Sequence, residues 1–553
     1  MELKAPWLKF YDGIKPNLSY PDTTISEAVL SMAQKHPENT ALVFMGRRIS
    51  YRELKNKVLS ARQMLARLGI GRGDRLMVCL PNIPQAVYLL YAADSLGAVC
   101  GFVHPLSAVS ELARYAKELD AACIAALDSM EDSFAQVMSL TGEKPLILTH
   151  AMEEASIMYR LFRKRKRVQK KSVLHWNKIF KKNIKAFPCA SGKKADDTAV
   201  ILFSGGTTGE PKGVMLSGKG LNAMAIQTAQ MSGCEILGRS MLAAMPIFHG
   251  FGLCVCVHAV LMHGGVSILV PRFKSEQYAA LIKKHRPNFI AGVPTLFEAL
   301  LKEPRMKGLD LSSLLGVFSG GDALPAVLRK KFDAYLSEQG SRVKIREGYG
   351  ATECVTASCL TPAKVQRENS VGIPFPDTYY KICKPHTEQE VPYGAEGEIC
   401  ICGPTLMKGY LNSKEETEKV LRLHKDGHVW LHTGDAGVMD EDGFLYFRRR
   451  LRRMIVTSGY NVYPEQLERL LDTHPKVSRS CVVGVKDPYK MHRIIAYVIP
   501  AYDAVPEERL RAELLKFCRN NVAKYSVPSE FRFVREFPLT KFGKTAYTQL
   551  EKA

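Results

Sequence analysis

The sequence predicts an α/β fold. We expect a large N-terminal domain of packed mixed or parallel sheets with helices, followed by a small mobile α+β C-terminal domain. Three observations support this prediction. Predicted helices and short apolar strands alternate along the first part of the chain. One strand is apolar throughout, which is typical of strands buried on both faces of a parallel sheet. The chain also has 553 residues, too many for a single hydrophobic core.

The first helix and strand are predicted between Ser50 and Pro81. Capping-box spacing occurs at Ser50-Tyr51-Arg52-Glu53, and the amphipathic pattern after it predicts a helix that ends at Gly69. Residues 75–80 then form a short apolar strand that Pro81 ends. The fully apolar strand lies later, at residues 197–203.

A domain boundary is predicted near Arg449. Turns rich in Gly and Asp precede it, at 433–435 and 440–443, and about a hundred residues follow it. We therefore expect a large domain over 1–449 and a small domain over 450–553.

The net charge of +22 is concentrated in one segment, because residues 160–185 contain 12 basic residues and no acidic ones. Such a patch attracts anions of any class. Its apolar residues have helical spacing, namely Val173, Trp176, Phe180, Ile184 and Phe187. One interpretation is peripheral membrane contact through 160–187 on the inner membrane face. The other is a solvated insertion whose apolar stripe packs on the body of the protein. Nucleic acid is not expected as a partner, since stacking aromatics are not interleaved with the basic residues.

Cysteine usage favours the cytoplasm. None of the 14 cysteines has C-x-x-C spacing, and the closest pairs, Cys254/Cys256 and Cys400/Cys402, lie in apolar runs. They are interpreted as small buried hydrophobes in a reducing compartment rather than as metal ligands or disulfides. Residues 1–4 have no apolar h-region, so no secretory signal is expected, and the apolar run 251–262 is too short to span a bilayer.

The strongest chemical signal directly follows the apolar strand. Glycines there allow backbone N–H groups to close around phosphate oxygens, hydroxyls add donors, and a lysine adds a point charge. The residues concerned are Ser204, Gly205, Gly206, Thr207, Thr208, Gly209 and Lys212. The loop is not a Walker A motif, because Gly-Lys-Ser/Thr does not follow at the required spacing.

This loop resembles the phosphate-binding signature of the adenylate-forming (acyl-AMP) superfamily. Further signatures of that superfamily follow in its order, from about Thr24 to the end of the chain. They are Pro246–Gly252, Ser319–Asp322, Gly348–Glu353, Thr433–Asp435, Arg450 and Pro538–Lys544. The resemblance is greatest to bacterial-type, AMP-forming fatty acyl-CoA synthetases. It implies a ligase that forms an acyl-AMP from ATP and a carboxylic acid and then transfers the acyl group to coenzyme A.

The resemblance also implies roles for individual residues. Gly320, Gly321, Asp322, Gly348, Tyr349 and Gly350 would lie on the adenine side. Asp435 would hold the ribose, and Arg450 would also reach the nucleotide. Thr352 would contact phosphate, while Glu353 would be the Mg²⁺ ligand. Lys544, carried by the small domain, would bridge the attacking carboxylate and the α-phosphate.

For the second half-reaction, the resemblance implies that the small domain rotates about Arg449. Close backbone approach at Gly459 would then admit the pantetheine arm of coenzyme A, and the arginines at 448–453 would meet its phosphates. His249 would flank the carboxylate and the thiol route. Departures from the family pattern, such as Arg449 at the hinge, concentrate in this half-reaction.

Several alternatives remain open for the acceptor and the acid. An acyl-AMP ligase that loads an acyl carrier protein would suit the basic surface, and an oxygen-dependent luciferase shares the same signatures. From a different class, the chain would be a catalytically inactive basic membrane-binding protein. An amino-acid substrate is disfavoured, since 246–252 has no acidic residue to hold an ammonium group. The apolar character favours a medium- or long-chain fatty acid, in a pocket near Phe248, His249, residues 292–295 and residues after Glu353.

Overall fold

The computed structural model describes residues 3–161, 173–176, 192–204, 211–385, 387–451, 455–457, 460–462, 464–487, 491–501, 506–522, 526–539 and 545–552. Within these ranges the α/β architecture is confirmed, with mixed parallel and antiparallel sheets in a large N-terminal part and a smaller C-terminal part.

The largest sheet of the described residues is parallel at its centre and antiparallel at its ends. Its strands lie in the spatial order Ile373–Pro374, Cys359–Leu360, Ile345–Tyr349, Gly316–Ser319, Phe289–Gly292, Ser240–Ala243, Val266–Leu269, Thr40–Phe44 and Arg47–Ser50. Parallel strands end at one common edge. Three of them have a glycine at or directly after their carboxyl end: Gly292 ends Phe289–Gly292, Gly320 follows Gly316–Ser319, and Gly350 follows Ile345–Tyr349.

The second sheet contains the predicted buried strand, which spans Thr198–Ser204. Its order is Gly409–Tyr410, Lys212–Ser217, Thr198–Ser204, Val99–Phe102, Arg75–Cys79, Cys123–Leu127, Leu146–Thr149 and Val173–His175. The strands from Thr198–Ser204 to Val173–His175 are parallel, and the other two pair antiparallel.

A smaller antiparallel sheet lies beside these two. It is built from Tyr379–Cys383, Gly397–Cys402, Val429–Met439 and Leu421–Leu423, and Leu445–Arg450 pairs with Val429–Met439. The C-terminal part contains a hairpin of Ile455–Thr457 and Tyr460–Val462, and a sheet of Val477–Asp487, Met491–Pro500 and Glu530–Phe533.

Helices connect and cover the sheets. The α-helices span Ile25–Lys35, Tyr51–Arg67, Pro84–Ser95, Val109–Glu118, Glu131–Thr141, Ile157–Leu161, Gly218–Ser232, Ala259–Met262, Ser275–His285, Pro294–Lys302, Ala326–Glu338, Lys414–Val420, Pro464–Asp472, Glu507–Asn521 and Tyr547–Lys552. A π-helix spans Phe251–His258. The 3₁₀-helices are Pro6–Phe10, Asp128–Met130, Ala151–Glu154, Pro304–Met306 and Thr352–Cys354.

The main hydrophobic core lies between the two large sheets. The helix Pro84–Ser95 is buried along almost its whole length, as expected of a helix that is apolar on every side. Its one acidic residue, Asp94, is buried but forms an ion pair with Lys193 at 2.8 Å. Two separate apolar clusters form the core of the described C-terminal part. One contains Leu467, Ile494 and Leu514, and the other contains Ile495. The domain boundary at Arg449 stays a prediction.

The first predicted helix has the expected ends with one difference. Ser50 Oγ accepts a hydrogen bond from Glu53 N at 3.1 Å, and Gly69 has the positive φ of +80° that suits the residue after a helix. The Glu53 carboxylate, however, pairs with Arg47. The competing arginine explains why only half of the predicted capping box is seen.

The predicted helical stripe in the basic segment is wrong at its first position, Val173. Val173 lies in the strand Val173–His175, which pairs with Leu146–Thr149, because an exposed sheet edge offers hydrogen bonds that a local periodicity cannot reveal. Trp176 is only 1% exposed and stacks on Tyr88 at 6.3 Å, so it packs on the body of the protein. Phe180, Ile184 and Phe187 lie outside the described residues. In the described part of the chain, no helix is both long and apolar enough to cross a membrane.

Candidate active site

The two ends of the predicted phosphate loop lie side by side. Ser204 and Lys212 are paired in the antiparallel ladder of Thr198–Ser204 and Lys212–Ser217, and Ser204 Oγ donates to Lys212 O at 3.5 Å. The connecting residues Gly205, Gly206, Thr207, Thr208 and Gly209 lie outside the described residues. The ladder therefore fixes where the loop leaves and re-enters the sheet.

Lys212 contacts two residues that were not predicted from the sequence. Its ammonium forms an ion pair with Glu416 and lies 5.0 Å from the centre of the Tyr410 ring. Tyr410 lies on the short strand that pairs with Lys212–Ser217. Local sequence could not reveal these contacts, because about 200 residues separate Tyr410 and Glu416 from Lys212 in the chain.

Glu353 is joined to Lys212 through the same tyrosine. Tyr410 OH donates to Glu353 Oε1 at 2.8 Å, and Met407 N donates to the Glu353 carbonyl at 2.8 Å. Glu353 and Thr352 lie on the 3₁₀-turn Thr352–Cys354 and are half-buried. The structure thus brings together the lysine and the carboxylate that the sequence assigned to phosphate and Mg²⁺.

Glycine is required at two positions of the surrounding backbone. A Cβ atom at Gly350 would lie 1.7 Å from the Thr356 carbonyl oxygen, and one at Gly250 would lie 1.9 Å from the Val355 carbonyl oxygen. Val355 itself has a φ of +68°, which is rare for a β-branched residue. The segment before the π-helix therefore packs closely behind Glu353.

His249 belongs to that segment. Its Nδ1 accepts a hydrogen bond from Phe251 N at 3.2 Å, and the preceding Phe248 ring is buried 4.5 Å from the His104 ring. A Cβ atom at Gly320 would lie 3.7 Å from the Phe251 ring. These contacts bring His249 and the Gly320 turn to the same region.

The glycine-rich turns lie at the carboxyl ends of three adjacent parallel strands, the usual ligand-binding edge of such sheets. Gly320 N donates to Gly292 O at 3.1 Å, and a Cβ atom at Gly320 would lie 3.3 Å from Gly348 O. Gly321 has a φ of +83°. The buried Ser319 Oγ has no hydrogen-bond partner among the described residues.

Asp322, at the end of this turn, contacts the C-terminal part of the chain. Its Oδ2 lies 3.3 Å from Nη2 of Arg479, on the strand Val477–Asp487. Sequence reasoning missed Arg479, because no motif surrounds it.

Glu347 accepts a hydrogen bond from the backbone just after the Gly320–Asp322 turn. Its Oε1 accepts from Leu324 N at 2.9 Å, and burial raises the pKa of this carboxyl to about 7. The sequence did not single out this residue either, since a glutamate just before Gly348 carries no sign of its burial.

Asp435 forms a cluster with two of its predicted companions. Its Oδ2 accepts from Tyr349 OH at 2.7 Å, and its Oδ1 lies 3.3 Å from Arg450 Nε, directly opposite in the strand ladder. The nearby carboxylate raises the pKa of Arg450, and burial raises that of Tyr349. Asp435 is only 3% exposed, yet its Oδ1 makes no hydrogen bond within the described residues. A hydroxyl donor such as that of a ribose fits this unfilled acceptor.

A bulge in the strand Val429–Met439 aims Asp435 at this cluster. Along the ladder with Gly397–Cys402, Glu398 pairs with Ala436 and Cys400 pairs with His432. Residues 433–435 therefore lie opposite the single residue Ile399, which makes a bulge in the strand Val429–Met439. Thr433 Oγ1 donates to Ile399 O at 2.8 Å, and Gly434 N donates to Glu398 Oε1 at 3.0 Å. Besides the phosphate-loop residues, two more of the predicted site residues, Lys544 and Gly459, lie outside the described residues.

Two family models match the chain. The model described as AMP-binding enzyme matches residues 30–411, and the model of the AMP-binding enzyme C-terminal domain matches residues 466–544. The chain belongs to the AMP-binding enzyme family. Ligases of this family use ATP, Mg²⁺ and coenzyme A. The protein is therefore an adenylate-forming acid–thiol ligase that acts on a small-molecule carboxylate.

Relatives within the AMP-binding enzyme family are similar over their full length. A long-chain-fatty-acid–CoA ligase of Bacillus subtilis is 32% identical, covering 98% of this chain and 97% of that one. A probable 4-coumarate–CoA ligase 1 of Dictyostelium discoideum is 29% identical, covering 98% of both. Among solved structures, ATP-bound MatB from Rhodopseudomonas palustris is 25% identical with a TM-score of 0.82, covering 96% of this chain and 99% of that one.

Proposed function

We propose that the protein is an AMP-forming acyl-CoA ligase whose acid is a medium- or long-chain fatty acid. The main support for the adenylation site is the environment of Asp435. This buried carboxylate accepts a hydrogen bond from Tyr349 and forms an ion pair with Arg450, and its Oδ1 lacks a hydrogen bond within the described residues. In this proposal Asp435 accepts hydrogen bonds from the ribose hydroxyls. Tyr349 and the Gly320–Asp322 turn would lie against the adenine. Gly348 and Gly350, on either side of Tyr349, would help to position it, because without a Cβ they pack closely against the carbonyls of Cys359 and Thr356.

The triphosphate would lie between Lys212 and Glu353, which Tyr410 already joins. Ser204 to Gly209 would donate backbone and hydroxyl hydrogen bonds to phosphate oxygens, and Thr352 would add another. A bound Mg²⁺ would neutralise phosphate charge, and Glu353 is the carboxylate that would hold it. Glu416 would release Lys212 when the nucleotide enters, because phosphate oxygens carry more charge than one carboxylate.

In the first step a carboxylate oxygen of the acid attacks the α-phosphorus, and the bond from that phosphorus to the pyrophosphate oxygen breaks. Lys544 would contact the attacking carboxylate and the α-phosphate, where negative charge accumulates. In the second step the thiol sulfur of coenzyme A attacks the acyl carbonyl carbon and loses its proton to solvent. AMP leaves with the electron pair of the broken C–O bond. His249 would flank this route, Gly459 would line the pantetheine path, and residues 448–453 would bind phosphates.

A rotation of the small domain, 450–553, about Arg449 would separate the two steps. Arg449 is buried and forms an ion pair with Glu396 of the large domain, which supports a fixed pivot there. The Asp322–Arg479 contact would belong to one of the two orientations.

The fatty-acid assignment rests on the apolar surroundings of His249. Phe248 is buried, and residues 252–257 after Phe251 are all apolar or glycine. Phe251 lies near the Gly320 turn, where Gly320 N donates to Gly292 O. The segment 246–252 contains no acidic or basic residue apart from His249. The name of the Bacillus subtilis relative supports the same acid class.

We also propose that the enzyme acts in the cytoplasm. All cysteines in the part of the chain that the structure describes are free thiols, as a reducing compartment would keep them. Peripheral contact of 160–187 with the inner membrane face remains part of this proposal, although Trp176 is already packed against Tyr88.

A competition assay tests the function. The purified protein is incubated with ATP, Mg²⁺, coenzyme A and a mixture of short, medium, long and aromatic carboxylates, and the products are identified by mass spectrometry. Lys544→Ala is run alongside Lys541→Ala, a matched removal of a lysine three residues earlier. We expect medium- or long-chain acyl-CoA that Lys544→Ala abolishes and Lys541→Ala retains.

Other outcomes separate the alternatives. Thioesters of acetate or of an aromatic acid, with fatty acids left unreacted, would overturn the acid class. Accumulation of acyl-AMP and pyrophosphate without thioester would replace coenzyme A by an acyl carrier protein as acceptor. Light emission and consumption of the acyl-AMP that both require O₂ would indicate a luciferase. Failure to consume ATP with any acid would favour the inactive membrane-binding protein.

A further inference from the structure

A buried cluster of side chains of the metal-ligand types lies beside the Asp435 bulge, and none of its members is among the residues assigned to the ligase chemistry. Glu398, Cys400 and His432 each offer one ligand atom, and these atoms all lie within 4.8 Å of one another. His432 Nδ1 is 2.9 Å from Glu398 Oε2 and 3.6 Å from Cys400 Sγ. All three residues are at most 4% exposed.

Strand register brings these residues together. Cys400 and His432 are directly paired between Gly397–Cys402 and Val429–Met439, and Glu398 precedes Cys400 by two residues, on the same face of the sheet. The sequence suggested that Cys400 is a small apolar core residue like its neighbour Cys402. It is buried as expected, but its polar companions come from another strand, so spacing along the chain could not reveal them.

The donor set suits a borderline transition-metal ion. One imidazole nitrogen, one thiolate sulfur and one carboxylate oxygen are the usual ligands of Zn²⁺ in proteins. The carboxylate and the thiolate together balance the charge of a divalent ion. Tetrahedral coordination with ordinary Zn–N, Zn–O and Zn–S bonds places donor atoms roughly 3.3–3.7 Å apart. The observed separations of 2.9 and 3.6 Å are close to that range.

Outer groups hold the three side chains in position. His424 Nε2 lies 2.9 Å from His432 Nε2 and orients that ring, as hydrogen-bonded partners of metal-binding histidines do. Cys383, on the neighbouring strand Tyr379–Cys383, packs with Cys400 and Trp430 in one buried cluster. Glu398 uses its other oxygen, Oε1, to accept from Gly434 N, so Oε2 is the oxygen that faces His432 Nδ1.

We propose that Glu398, Cys400 and His432 form a structural binding site for a divalent transition-metal ion of the Zn²⁺ class. The site goes beyond the ligase function and takes no part in its bond-making steps. The bound ion ties the strand Gly397–Cys402 to Val429–Met439 at the point where the bulge begins. Through Glu398 and Gly434 it stabilises the loop that presents Asp435.

Metal content and cobalt spectroscopy test this proposal. Untagged, full-length protein is incubated with Zn²⁺, desalted and analysed for bound zinc by mass spectrometry. In parallel, Co²⁺ is added and the absorption spectrum is recorded. We expect stoichiometric zinc, and a thiolate-to-cobalt charge-transfer band together with the intense visible bands of tetrahedral Co²⁺. Zinc should also raise the thermal unfolding midpoint in the presence of Mg²⁺.

Three variants locate the ion. Cys400→Ser and His432→Gln should each lose the zinc and the charge-transfer band, whereas Cys402→Ser, a cysteine two residues further along the same strand, should keep both. Glu353→Gln should also keep both, since it removes the candidate Mg²⁺ ligand and not this cluster. Absence of stoichiometric zinc and of the charge-transfer band in the wild-type protein would overturn the proposal even if a cluster variant fails to fold. Retention of the band in a folded Cys400→Ser variant would overturn it as well.

Discussion

The Tyr349 hydroxyl donates a hydrogen bond of 2.7 Å to Asp435 Oδ2, joining residues 86 positions apart in the chain. One lies at the carboxyl end of a strand in the largest sheet, and the other lies in a bulge of the neighbouring antiparallel sheet. The bond holds one oxygen of the carboxylate and leaves the other facing Arg450 without a hydrogen bond. Substitutions of Tyr349 and Asp435 therefore test most directly whether Asp435 binds the ribose of ATP.

Asp435→Asn should weaken ATP binding and lower kcat/KM for ATP by about 10- to 100-fold, the effect of losing hydrogen bonds to a charged acceptor. Tyr349→Phe should have a smaller effect in the same direction, because it removes the hydrogen bond to Asp435 but keeps both the carboxylate and the aromatic ring. Steady-state kinetics with varied ATP measure both. Tyr446→Phe removes a comparable tyrosine–aspartate bond, to Asp440 at 3.0 Å, and should leave the ATP dependence unchanged. An unaltered KM for ATP in Asp435→Asn would contradict the assignment.

Glu353→Gln should raise the Mg²⁺ concentration needed for half-maximal activity by about tenfold or more, since an ionised ligand is lost. The amide can still accept the hydrogen bond from Tyr410, so the fold around it should persist. Titration of activity with Mg²⁺ at saturating ATP provides the measurement. Glu418→Gln, an exposed glutamate on the helix that carries Glu416, is the control. Equal Mg²⁺ dependence in both variants would remove Glu353 from the metal site.

Gly350→Ala should destabilise the site by about 1–3 kcal/mol or more and lower activity strongly. The new Cβ would lie 1.7 Å from the Thr356 carbonyl oxygen, so the backbone must move. Thermal unfolding and single-turnover adenylation report the two effects. Gly71→Ala is the matched control, because a Cβ there meets nothing within 4 Å and the φ is ordinary. We expect Gly71→Ala to behave like the wild type, and a stable, active Gly350→Ala would show that the turn adjusts without cost.

The stability of the protein should depend on pH through Glu347. Burial raises its pKa to about 7 in the folded state from 4.5, so its favourable contribution is complete below about pH 4.5 and is lost as pH rises through 7. Glu347→Gln removes this dependence and can keep the hydrogen bond from Leu324 N. Relative to wild type, the variant should therefore gain on the order of 1–3 kcal/mol of stability between pH 5 and pH 8.

Denaturant unfolding at the two pH values measures this gain. Glu338→Gln, an exposed glutamate at the end of the helix Ala326–Glu338, should show no comparable difference. A pH-independent effect of Glu347→Gln would mean that the carboxyl is ionised at both pH values in the folded state.

Much of the fold and of the site could be predicted from local sequence. The strand Thr198–Ser204 was predicted to within one residue, because an unbroken apolar run has few alternatives to a buried strand. The helix at Tyr51–Arg67 was predicted from its cap and its period. Tyr349, Asp435 and Arg450 were selected from colinear motifs, and the structure brings them into contact. Their roles stay predictions.

The wrong and missed residues share one physical cause. Val173 was assigned to a helix from its spacing, but it lies in a strand that pairs with the edge strand Leu146–Thr149. Tyr410, Glu416 and Arg479 contact predicted site residues without any local signal of their own. In each case the deciding interaction comes from a distant part of the chain.

The sequence by itself determined the α/β class, the family and the candidate nucleotide residues, because apolar periodicity and glycine-rich turns act over a few neighbouring residues. Only the tertiary structure decided which side chains meet. Strand register set Cys400 against His432, a bulge turned Asp435 towards Tyr349, and a short strand placed Tyr410 between Lys212 and Glu353. Register and bulges are fixed by pairing between strands far apart in the chain, so no local pattern encodes them.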